Sequence, residues 1–314
     1  MTASVKKRLV AVVGPTGTGK SGLALDIAEH IIQLGGKAEI INSDSMQFYQ
    51  GMDIGTAKLT IDERRGITHH MIDTLAITDE STAADYQRQA RPIIEDLQRR
   101  KITPVVVGGS MLYVAALLNT FEFPERNETL RAQLELDLLE HGAIEMHRRL
   151  AAVDPGAASR IIPANGRRSV RALEVVLTTG EPFAAALPDE VESWQPVLEI
   201  GLNSERAHLV QRLEQRVIRM WAAGLVDETR NLEPLGIRTG KTASQAIGYS
   251  QALQQLDGTM TQDEAIASTV QLTQRYARRQ MSWFKRDPRI NWLDYQDPSF
   301  TKQALSLVES NLAI

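Results

Sequence analysis

The stretch LVAVVGPTGTGKS, residues 9–21, decides the fold. Its first half is a short apolar run rich in β-branched residues, which is typical of a strand buried in a parallel sheet. Its second half, Gly14–Ser21, matches the pattern G-x-x-x-x-G-K-[ST] in full. Residues 21–32 then have helical spacing, and Gly35 and Gly36 favour a helix end there. A strand, a glycine-rich loop and a helix in this order predict a phosphate-binding loop (P-loop).

The residues of this P-loop have distinct expected roles. The glycines permit a tight turn whose N–H groups surround phosphate oxygens, and the following helix adds positive potential. We expect Lys20 to neutralise a phosphate and the hydroxyl of Ser21 to help hold Mg²⁺. The loop alone leaves open whether a phosphoryl group is transferred or a phosphate departs as a leaving group. The predicted phosphate-binding set is Gly14, Pro15, Thr16, Gly17, Thr18, Gly19, Lys20 and Ser21.

Two further strands are predicted in AEIINSDS, residues 38–45, and TPVVVGGS, residues 103–110. An amphipathic helix, residues 83–100, lies between them. This alternation predicts right-handed βαβ units, and therefore an α/β fold with a P-loop NTPase-like parallel sheet and helices on both faces. Ligands of such sheets bind at the carboxyl ends of the strands, where this chain has the P-loop, Asp44–Ser45 and Gly108–Ser110.

The pattern changes after Phe121, where helical spacing replaces the alternation of strands and helices. We interpret residues 122–195 as an all-helical insertion. The sequence PVLEIGLN, residues 196–203, then predicts a return to the sheet, followed by long helices. The expected organisation is a catalytic core of residues 1–121 and 196–314 interrupted by this insertion.

Composition restricts the possible chemistry. The chain has 314 residues, a net charge of −4 and no cysteine. The absence of cysteine excludes disulfides, cysteine-based zinc sites and a thiolate nucleophile. The N-terminus leaves no room for a signal peptide before the first strand, and no apolar run approaches the roughly 20 residues of a membrane span. We therefore expect a cytoplasmic monomer with no membrane partner.

Asp44 is the one acidic residue at a predicted strand end, because TPVVVGGS ends in glycine and serine. A P-loop enzyme usually has a carboxylate on a neighbouring strand that orients Mg²⁺ through water. Asp44 is therefore either a metal-shell ligand or a base, and a small-molecule kinase could use it in either way. For His69 and His70 we favour a structural role, since adjacent side chains diverge and no third ligand is near in sequence.

A series of longer motifs resembles the tRNA dimethylallyltransferase family over nearly the whole chain. The motifs occur in the family's order, and they are NSDSMQFYQGMDIGTAK (42–58), THHMIDT (68–74), ADYQRQA (84–90), VVVGGSMLYVAALL (105–118), RRSVRALEV (167–175), AIGYSQAL (246–253) and RRQMSWFKRDPRINWLD (278–294). The resemblance implies transfer of a dimethylallyl group from dimethylallyl diphosphate to N6 of adenosine 37 in the tRNA anticodon stem-loop. The P-loop and Mg²⁺ would then hold a departing diphosphate.

The resemblance also implies roles for three catalytic residues. The adenine N6 must lose a proton as it attacks, and the family assigns the aspartate matching Asp44 as the base. Lys20 would stabilise the leaving group. Ser110 stands where the family usually has threonine, so its hydroxyl is expected near the reacting groups.

Matching segments supply the expected tRNA contacts. Arg167, Arg168 and Arg171 lie within little more than one helical turn of the insertion. The C-terminal helix is expected to carry Arg275, Arg278, Arg279, Lys285, Arg286 and Arg289, with Tyr276, Trp283 and Phe284 interleaved; Trp283 and Phe284 are expected to pack on the core. The predicted tRNA-binding set is Asp44, Ser45, Met46, Gln47, Arg131, Arg167, Arg168, Arg171, Gln245, Gly248, Tyr249, Arg278 and Arg279.

Two points about charge stay open at the level of sequence. Gln245 and Ser250 stand where relatives often have arginine. Arg212 and Arg216 lie four residues apart, on one helix face, and could reach either a diphosphate or the RNA backbone.

Three alternative functions were weighed. A P-loop kinase would consume ATP but would not need the basic helices. A prenyltransferase acting on free AMP or ADP would not need an RNA surface. A non-catalytic RNA-binding protein would not need the intact set of Lys20, Ser21 and Asp44.

Overall fold

The computed structural model describes residues 8–121, 123–183 and 192–312. These residues divide into two compact units, one of Met1–Asn119 with Ser193–Ile314 and one of Thr120–Glu192. The sequence had suggested an insertion over residues 122–195.

The first unit is built on a six-stranded parallel sheet with the order β3-β2-β4-β1-β5-β6. In the centre of the sheet, Val12 of β1 pairs with Val107 of β4 and Ile200 of β5. The carboxyl ends of β1, β4 and β2 therefore lie side by side, as the sequence predicted. The strands are β1 (Val10–Val13), β2 (Ala38–Asn42), β3 (His69–His70), β4 (Thr103–Val107), β5 (Leu198–Asn203) and β6 (Asn291–Asp294).

Helices cover both faces of this sheet, which confirms the predicted fold class. Val10 and Val12 face an apolar cluster with α1 and α11, whereas Ala11 and Val13 face a second cluster with α2 and α3. The helices of this unit are α1 (Lys20–Gln33), α2 (Ala83–Arg99), α3 (Met111–Leu118), α7 (Arg206–Ala222), α8 (Leu225–Leu232), α9 (Tyr249–Leu256), α10 (Gln262–Phe284) and α11 (Phe300–Asn311).

The second unit is helical in its described residues and contains α4 (Glu128–Val153), α5 (Pro155–Arg160) and α6 (Gly166–Thr179). Its apolar centre is formed by Leu134, Met146, Leu150, Val170 and Leu173. The α6 helix ends at Gly180, whose left-handed φ of 74° is a conformation that glycine adopts at little cost.

Two strands and one helix boundary differ from the sequence prediction. The short edge strands β3 and β6 were not predicted, because two and four residues give little periodic signal. The α10 helix ends at Phe284, so Lys285, Arg286 and Arg289 lie beyond it and their assignment to the C-terminal helix was wrong. Pro288 disfavours helical backbone at the residue before it, which accounts for this early end.

None of the helices in the described part of the chain is both long and apolar enough to cross a bilayer.

Candidate functional site

The P-loop connects β1 to α1. Gly17 and Gly19 have φ values of 83° and 82°, in the left-handed region that glycine adopts at little cost. A Cβ atom on Gly14 would lie 2.6 Å from the carbonyl oxygen of Leu202 on the neighbouring strand. The hydroxyl of Thr18 donates to the carbonyl of Pro15 at 2.8 Å and closes the turn from within. These positions explain why the loop needs glycine and a small hydroxyl residue.

A cavity of about 240 Å³ opens beside this loop. Its walls come from the P-loop, the end of β2, the end of β4 and one face of α7. Among the described residues, Asp44 is the one acidic side chain that lines it. The polar and charged lining residues are Thr16, Lys20, Ser21, Asn42, Asp44, Gln47, Thr56, His69, Arg212, Arg216 and Arg219.

Lys20 lines this cavity, and its Nζ donates to the carbonyl of Pro15 at 2.7 Å. Burial lowers the pKa of Lys20 to about 8, because the charged ammonium loses hydration; Asp44 opposes this shift and Arg216 adds to it. This desolvated ammonium is suited to bind an incoming anion.

Asp44 begins the 3₁₀ turn Ser45–Phe48, and its Oδ1 accepts the N–H of Met46 at 3.0 Å. The Asp44 N–H in turn donates to Oδ1 of Asn42 at 3.0 Å. Burial raises the pKa of Asp44, whereas the Met46 hydrogen bond and the charges of Lys20 and Arg216 pull it back down. A carboxylate with a raised pKa is a better proton acceptor, so this placement supports base chemistry.

Arg212, Arg216 and Arg219 bring one face of α7 to the cavity. Arg212 is already bound, because its Nε donates to the carbonyl of Gly17 at 2.5 Å and its Nη1 to the hydroxyl of Tyr295 at 2.6 Å. Burial lowers the pKa of Arg216, and the neighbouring Asp44 opposes that shift. Arg216 and Lys20 thus line the same cavity.

Ser110 lies close to Asp44 but outside the lining of the cavity. It is 6% exposed and is not among the residues that line the cavity. Its Oγ accepts the N–H of Ser45 at 2.9 Å and lies 3.1 Å from the Ser45 hydroxyl. Ser110 therefore holds the residue next to Asp44, and its expected place near the reacting groups stays a prediction.

Tyr249 supports a loop of the core. Its side chain is fully buried, and its hydroxyl donates to Oε1 of Glu228 at 2.5 Å. The same carboxylate accepts the N–H groups of Ile54 at 2.8 Å and Asp53 at 3.2 Å. The expected contact of Tyr249 with tRNA stays a prediction.

The neighbours of Tyr249 and Asp44 in the predicted tRNA-binding set have mixed placements. Gly248 is buried with a φ of 97°, which favours glycine. Gln245 is exposed, and Met46 and Gln47 are half-buried. Gln47 Nε2 donates to the carbonyl of Thr56 at 3.1 Å, and Ser45 is buried against Ser110.

Two of the expected RNA-binding arginines are used within the insertion. Glu174 has a fully buried side chain, which Arg131 Nη1 contacts at 3.2 Å and Arg171 Nη1 at 3.0 Å. Arg171 also donates to the carbonyl of Pro124 at 3.0 Å. Arg131 and Arg171 thus have a partner within the protein, whereas Arg167 and Arg168 are exposed on α6. The contact of all four with tRNA stays a prediction.

The α10 helix presents two different faces. Arg275, Arg278 and Arg279 are exposed. Phe284 is 4% exposed within the apolar cluster and Trp283 packs against that cluster, which confirms the expected core role of both rings. The arginine face of α10 is therefore available to solvent.

His69 and His70 are held by different neighbours. Nδ1 of His69 lies 2.8 Å from the carbonyl of Ile67, and Nε2 of His70 lies 2.6 Å from Glu39 Oε2. Among the described residues there is no group of three histidine, cysteine or acidic side chains that could hold a metal ion.

Sequence reasoning missed three residues of this site. Arg219 continues the α7 arginine face at the cavity rim, and its spacing after Arg216 was a usable signal. Tyr295 lies under Arg212, with the guanidinium carbon 4.4 Å from the ring centroid. Gln280 accepts the N–H of Thr16 at 2.8 Å. The last two come from segments far from the P-loop, so no local pattern could reveal them.

The fold and this cavity define a P-loop α/β protein whose described cavity lining is rich in cations and contains one carboxylate. The family model described as IPP transferase matches residues 47–287. The chain belongs to this family.

Relatives and solved structures agree with that assignment. The chain is 53% identical over 300 residues to the tRNA dimethylallyltransferase of Thermobifida fusca, covering 96% of this chain and 94% of that protein. It is similar to the crystal structure of the full-length tRNA isopentenylpyrophosphate transferase of Bacillus halodurans, with 37% identity, a TM-score of 0.70, and coverage of 97% of this chain and 95% of that one. A eukaryotic dimethylallyltransferase crystallised while acting on tRNA matches with 28% identity, a TM-score of 0.77, and coverage of 98% and 81%.

Proposed function

We propose that this chain transfers the dimethylallyl group of dimethylallyl diphosphate to N6 of adenosine 37 in tRNA, giving N6-(dimethylallyl)adenosine and diphosphate. The observation that carries the proposal is the sharing of one cavity by a P-loop, a cluster of cations and a single carboxylate. Family membership and the names of the relatives support the same reaction. The P-loop would hold a leaving group, and no phosphoryl group would be transferred.

The leaving diphosphate would be held by the P-loop N–H groups, Lys20 and Arg216. An allylic diphosphate loses its leaving group more easily when the developing negative charge is neutralised. Lys20 and Arg216 are both desolvated cations in the cavity, so their charges act more strongly there than they would in water. Arg212 would stabilise the P-loop through its hydrogen bond to the carbonyl of Gly17.

The donors in the cavity fit a Mg²⁺ ion that is shared with the diphosphate. Mg²⁺ usually keeps several waters and takes one or two protein oxygens together with phosphate oxygens. The cavity offers the Ser21 hydroxyl, and the one acidic residue of its described lining, Asp44, is left free for the base role below. When bound there, Mg²⁺ would supply additional neutralisation of the diphosphate charge.

Asp44 would act as the base. As the bond from N6 to C1 of the dimethylallyl group forms, the bond from C1 to the diphosphate oxygen breaks. The proton released from N6 would pass to the Asp44 carboxylate, whose Oδ1 is oriented by the Met46 N–H. Burial of Asp44 raises its pKa and so favours the acceptance of that proton.

The RNA substrate would be the anticodon stem-loop, from which adenosine 37 would have to leave its stack to react. Exposed arginines on α6 (Arg167, Arg168) and α10 (Arg278, Arg279) are suited to contact the phosphate backbone.

The direct test is to incubate the protein with Mg²⁺, labelled dimethylallyl diphosphate and unmodified tRNA carrying A36-A37, with AMP and ATP in parallel tubes. We expect label at N6 of adenosine 37 in the tRNA tube alone, with no hydrolysis of ATP. Label on AMP would favour a free-nucleotide prenyltransferase. Consumption of ATP without label in tRNA would indicate a kinase and would overturn the proposal.

A further inference from the structure

Gln280 forms hydrogen bonds to two loops of the site. It lies on α10 and is 2% exposed. Its Oε1 accepts the N–H of Thr16 in the P-loop at 2.8 Å, and its Nε2 donates to the carbonyl of Gly109 at 2.7 Å. Both ends of the side-chain amide are therefore used, one on each loop.

The space around this amide is tight. A Cβ atom built on Gly109 would lie 2.4 Å from Nε2 of Gln280, closer than real contacts allow. Gln280 is not among the residues that line the cavity. Its side chain is thus fixed between two backbone segments and does not reach ligand in this structure.

The two segments that Gln280 joins lead to the two halves of the proposed chemistry. Thr16 belongs to the P-loop and lines the cavity. Gly109 precedes Ser110, whose Oγ accepts the N–H of Ser45 beside Asp44. The P-loop is therefore connected to Asp44 through a series of contacts. Gln280 joins Thr16 to Gly109, which is bonded to Ser110. The Ser110 hydroxyl in turn holds Ser45, the neighbour of Asp44.

We propose that Gln280 is a positioning residue that fixes the P-loop relative to Asp44. The inference rests on the proposed function, because the distance it sets matters only if a group held by the P-loop reacts beside Asp44. The role requires one acceptor and one donor at the two ends of one planar group, which glutamine supplies and methionine or glutamate does not. Misplacing reacting groups by about 1 Å can cost about a hundredfold in rate.

The first test compares Gln280→Met with Gln271→Met, a substitution at an exposed position of the same helix. For Gln280→Met we expect kcat to fall about tenfold or more and the affinity for inorganic diphosphate with Mg²⁺ to fall several-fold. The Kd of Gln280→Met for tRNA should stay within about twofold of the value for the unchanged protein. In Gln271→Met, kcat and the affinity for diphosphate should also stay within about twofold of the unchanged values. Unchanged kcat and diphosphate affinity, or a loss confined to tRNA binding, would overturn the inference.

A second test uses protonation. In Gln280→Glu a carboxylate would face the Gly109 carbonyl and lose the donor, whereas the neutral acid would restore it. We therefore expect the ratio of variant to unchanged kcat to rise as pH falls, at temperatures well below melting. A purely structural loss would leave that ratio independent of pH, which would contradict the inference.

A third test keeps the inference falsifiable if Gln280→Met fails to fold. Gly109→Ala forces the new methyl group against Nε2 of Gln280. Its effect on kcat/KM should be smaller in a Gln280→Ala background, because the clashing group is gone. Additive effects would argue that the two residues act independently.

The diphosphate titration needs neither tRNA nor turnover. If the unchanged protein does not prenylate tRNA but Gln280→Met still weakens diphosphate binding, the proposed function fails while the link between Gln280 and the P-loop stands. If prenylation is confirmed and Gln280→Met behaves like Gln271→Met, the inference alone fails.

Discussion

Lys20 and Asp44 line the same cavity, and burial moves their pKa values in opposite directions. Burial lowers the pKa of Lys20 to about 8 and raises the pKa of Asp44. Each charge partly offsets the shift of the other. The two residues can therefore fill their roles together in the pH range where Asp44 is ionised and Lys20 is still protonated.

The pH dependence follows from those directions. Lys20 must be protonated to neutralise the diphosphate, and it loses that proton as pH rises through about 8. We expect kcat/KM for dimethylallyl diphosphate to fall above about pH 8. We expect kcat to fall less, because bound diphosphate raises the pKa of the lysine beside it.

The matched variant for this prediction is Lys20→Arg, whose guanidinium stays charged across the whole range. Its lower activity should no longer decline above about pH 8. Steady-state kinetics from pH 6 to pH 10 would check this, and an alkaline decline that persists in Lys20→Arg would assign the titration to another group.

At this scale the sequence predicted the residues that follow a local pattern. The P-loop and Asp44 are adjacent to strands, so spacing alone indicated them. Tyr295 and Gln280 reach the P-loop from beyond β5, and only the packing of β6 and α10 against the sheet brings them there. Ser110 was found, but its hydrogen bonds to Ser45 depend on the exact course of two loops.

At the scale of single elements, α6 carries arginines with two different duties. Arg171 faces inward to the buried carboxylate of Glu174, whereas Arg167 and Arg168 are exposed. The sequence showed three arginines within about one turn, and helical periodicity then assigned them to different sides. The sequence pattern does not reveal that Glu174 is buried, so its pairing with Arg131 could not be predicted.

The exposed pair gives a prediction about RNA. The double variant Arg167→Ala, Arg168→Ala should weaken tRNA binding and flatten its dependence on salt, because fewer counterions are released. Filter binding at several salt concentrations would measure both. The control is Arg99→Ala, Arg100→Ala, two exposed arginines at the end of α2. If both double variants show the same salt slope as the unchanged protein, the RNA surface lies elsewhere.

The buried carboxylate gives a prediction about stability. Glu174→Ala leaves Arg131 and Arg171 without their shared partner, and we expect a loss of about 2 kcal/mol in the free energy of unfolding of the insertion. Chemical denaturation would measure it, with the exposed Glu140→Ala of α4 as control. Equal stability of the two variants would show that the cluster around Glu174 contributes nothing.

At the scale of the whole molecule, the parallel sheet is what assembles the site. Strands β1, β2 and β4 end at one edge, which brings together loops that begin at residues 14, 43 and 108. Periodicity was enough to predict this part of the fold, because the central strands are continuous apolar runs. The short edge strands have no such signal, and they matter here because β6 leads directly into Tyr295.

The distribution of charge over the molecule also separates what composition can and cannot predict. A net charge of −4 gives no sign of a nucleic-acid partner. The structure nevertheless gathers Lys20, Arg212, Arg216 and Arg219 around one cavity and exposes further arginines on α6 and α10. A whole-chain average cannot show such clusters, because it does not record where the charged side chains lie in the fold.

The central claim is that Asp44 takes the proton from the attacking amine in the same cavity that holds the departing diphosphate. The most direct measurement is the single-turnover rate of Asp44→Asn with saturating dimethylallyl diphosphate and tRNA. Asparagine keeps the shape and the Oδ1 acceptor for Met46 but cannot act as a base. We predict a rate at least about a hundredfold lower, with Kd values for both substrates within about threefold of the unchanged enzyme. A near-normal rate in Asp44→Asn would contradict the account.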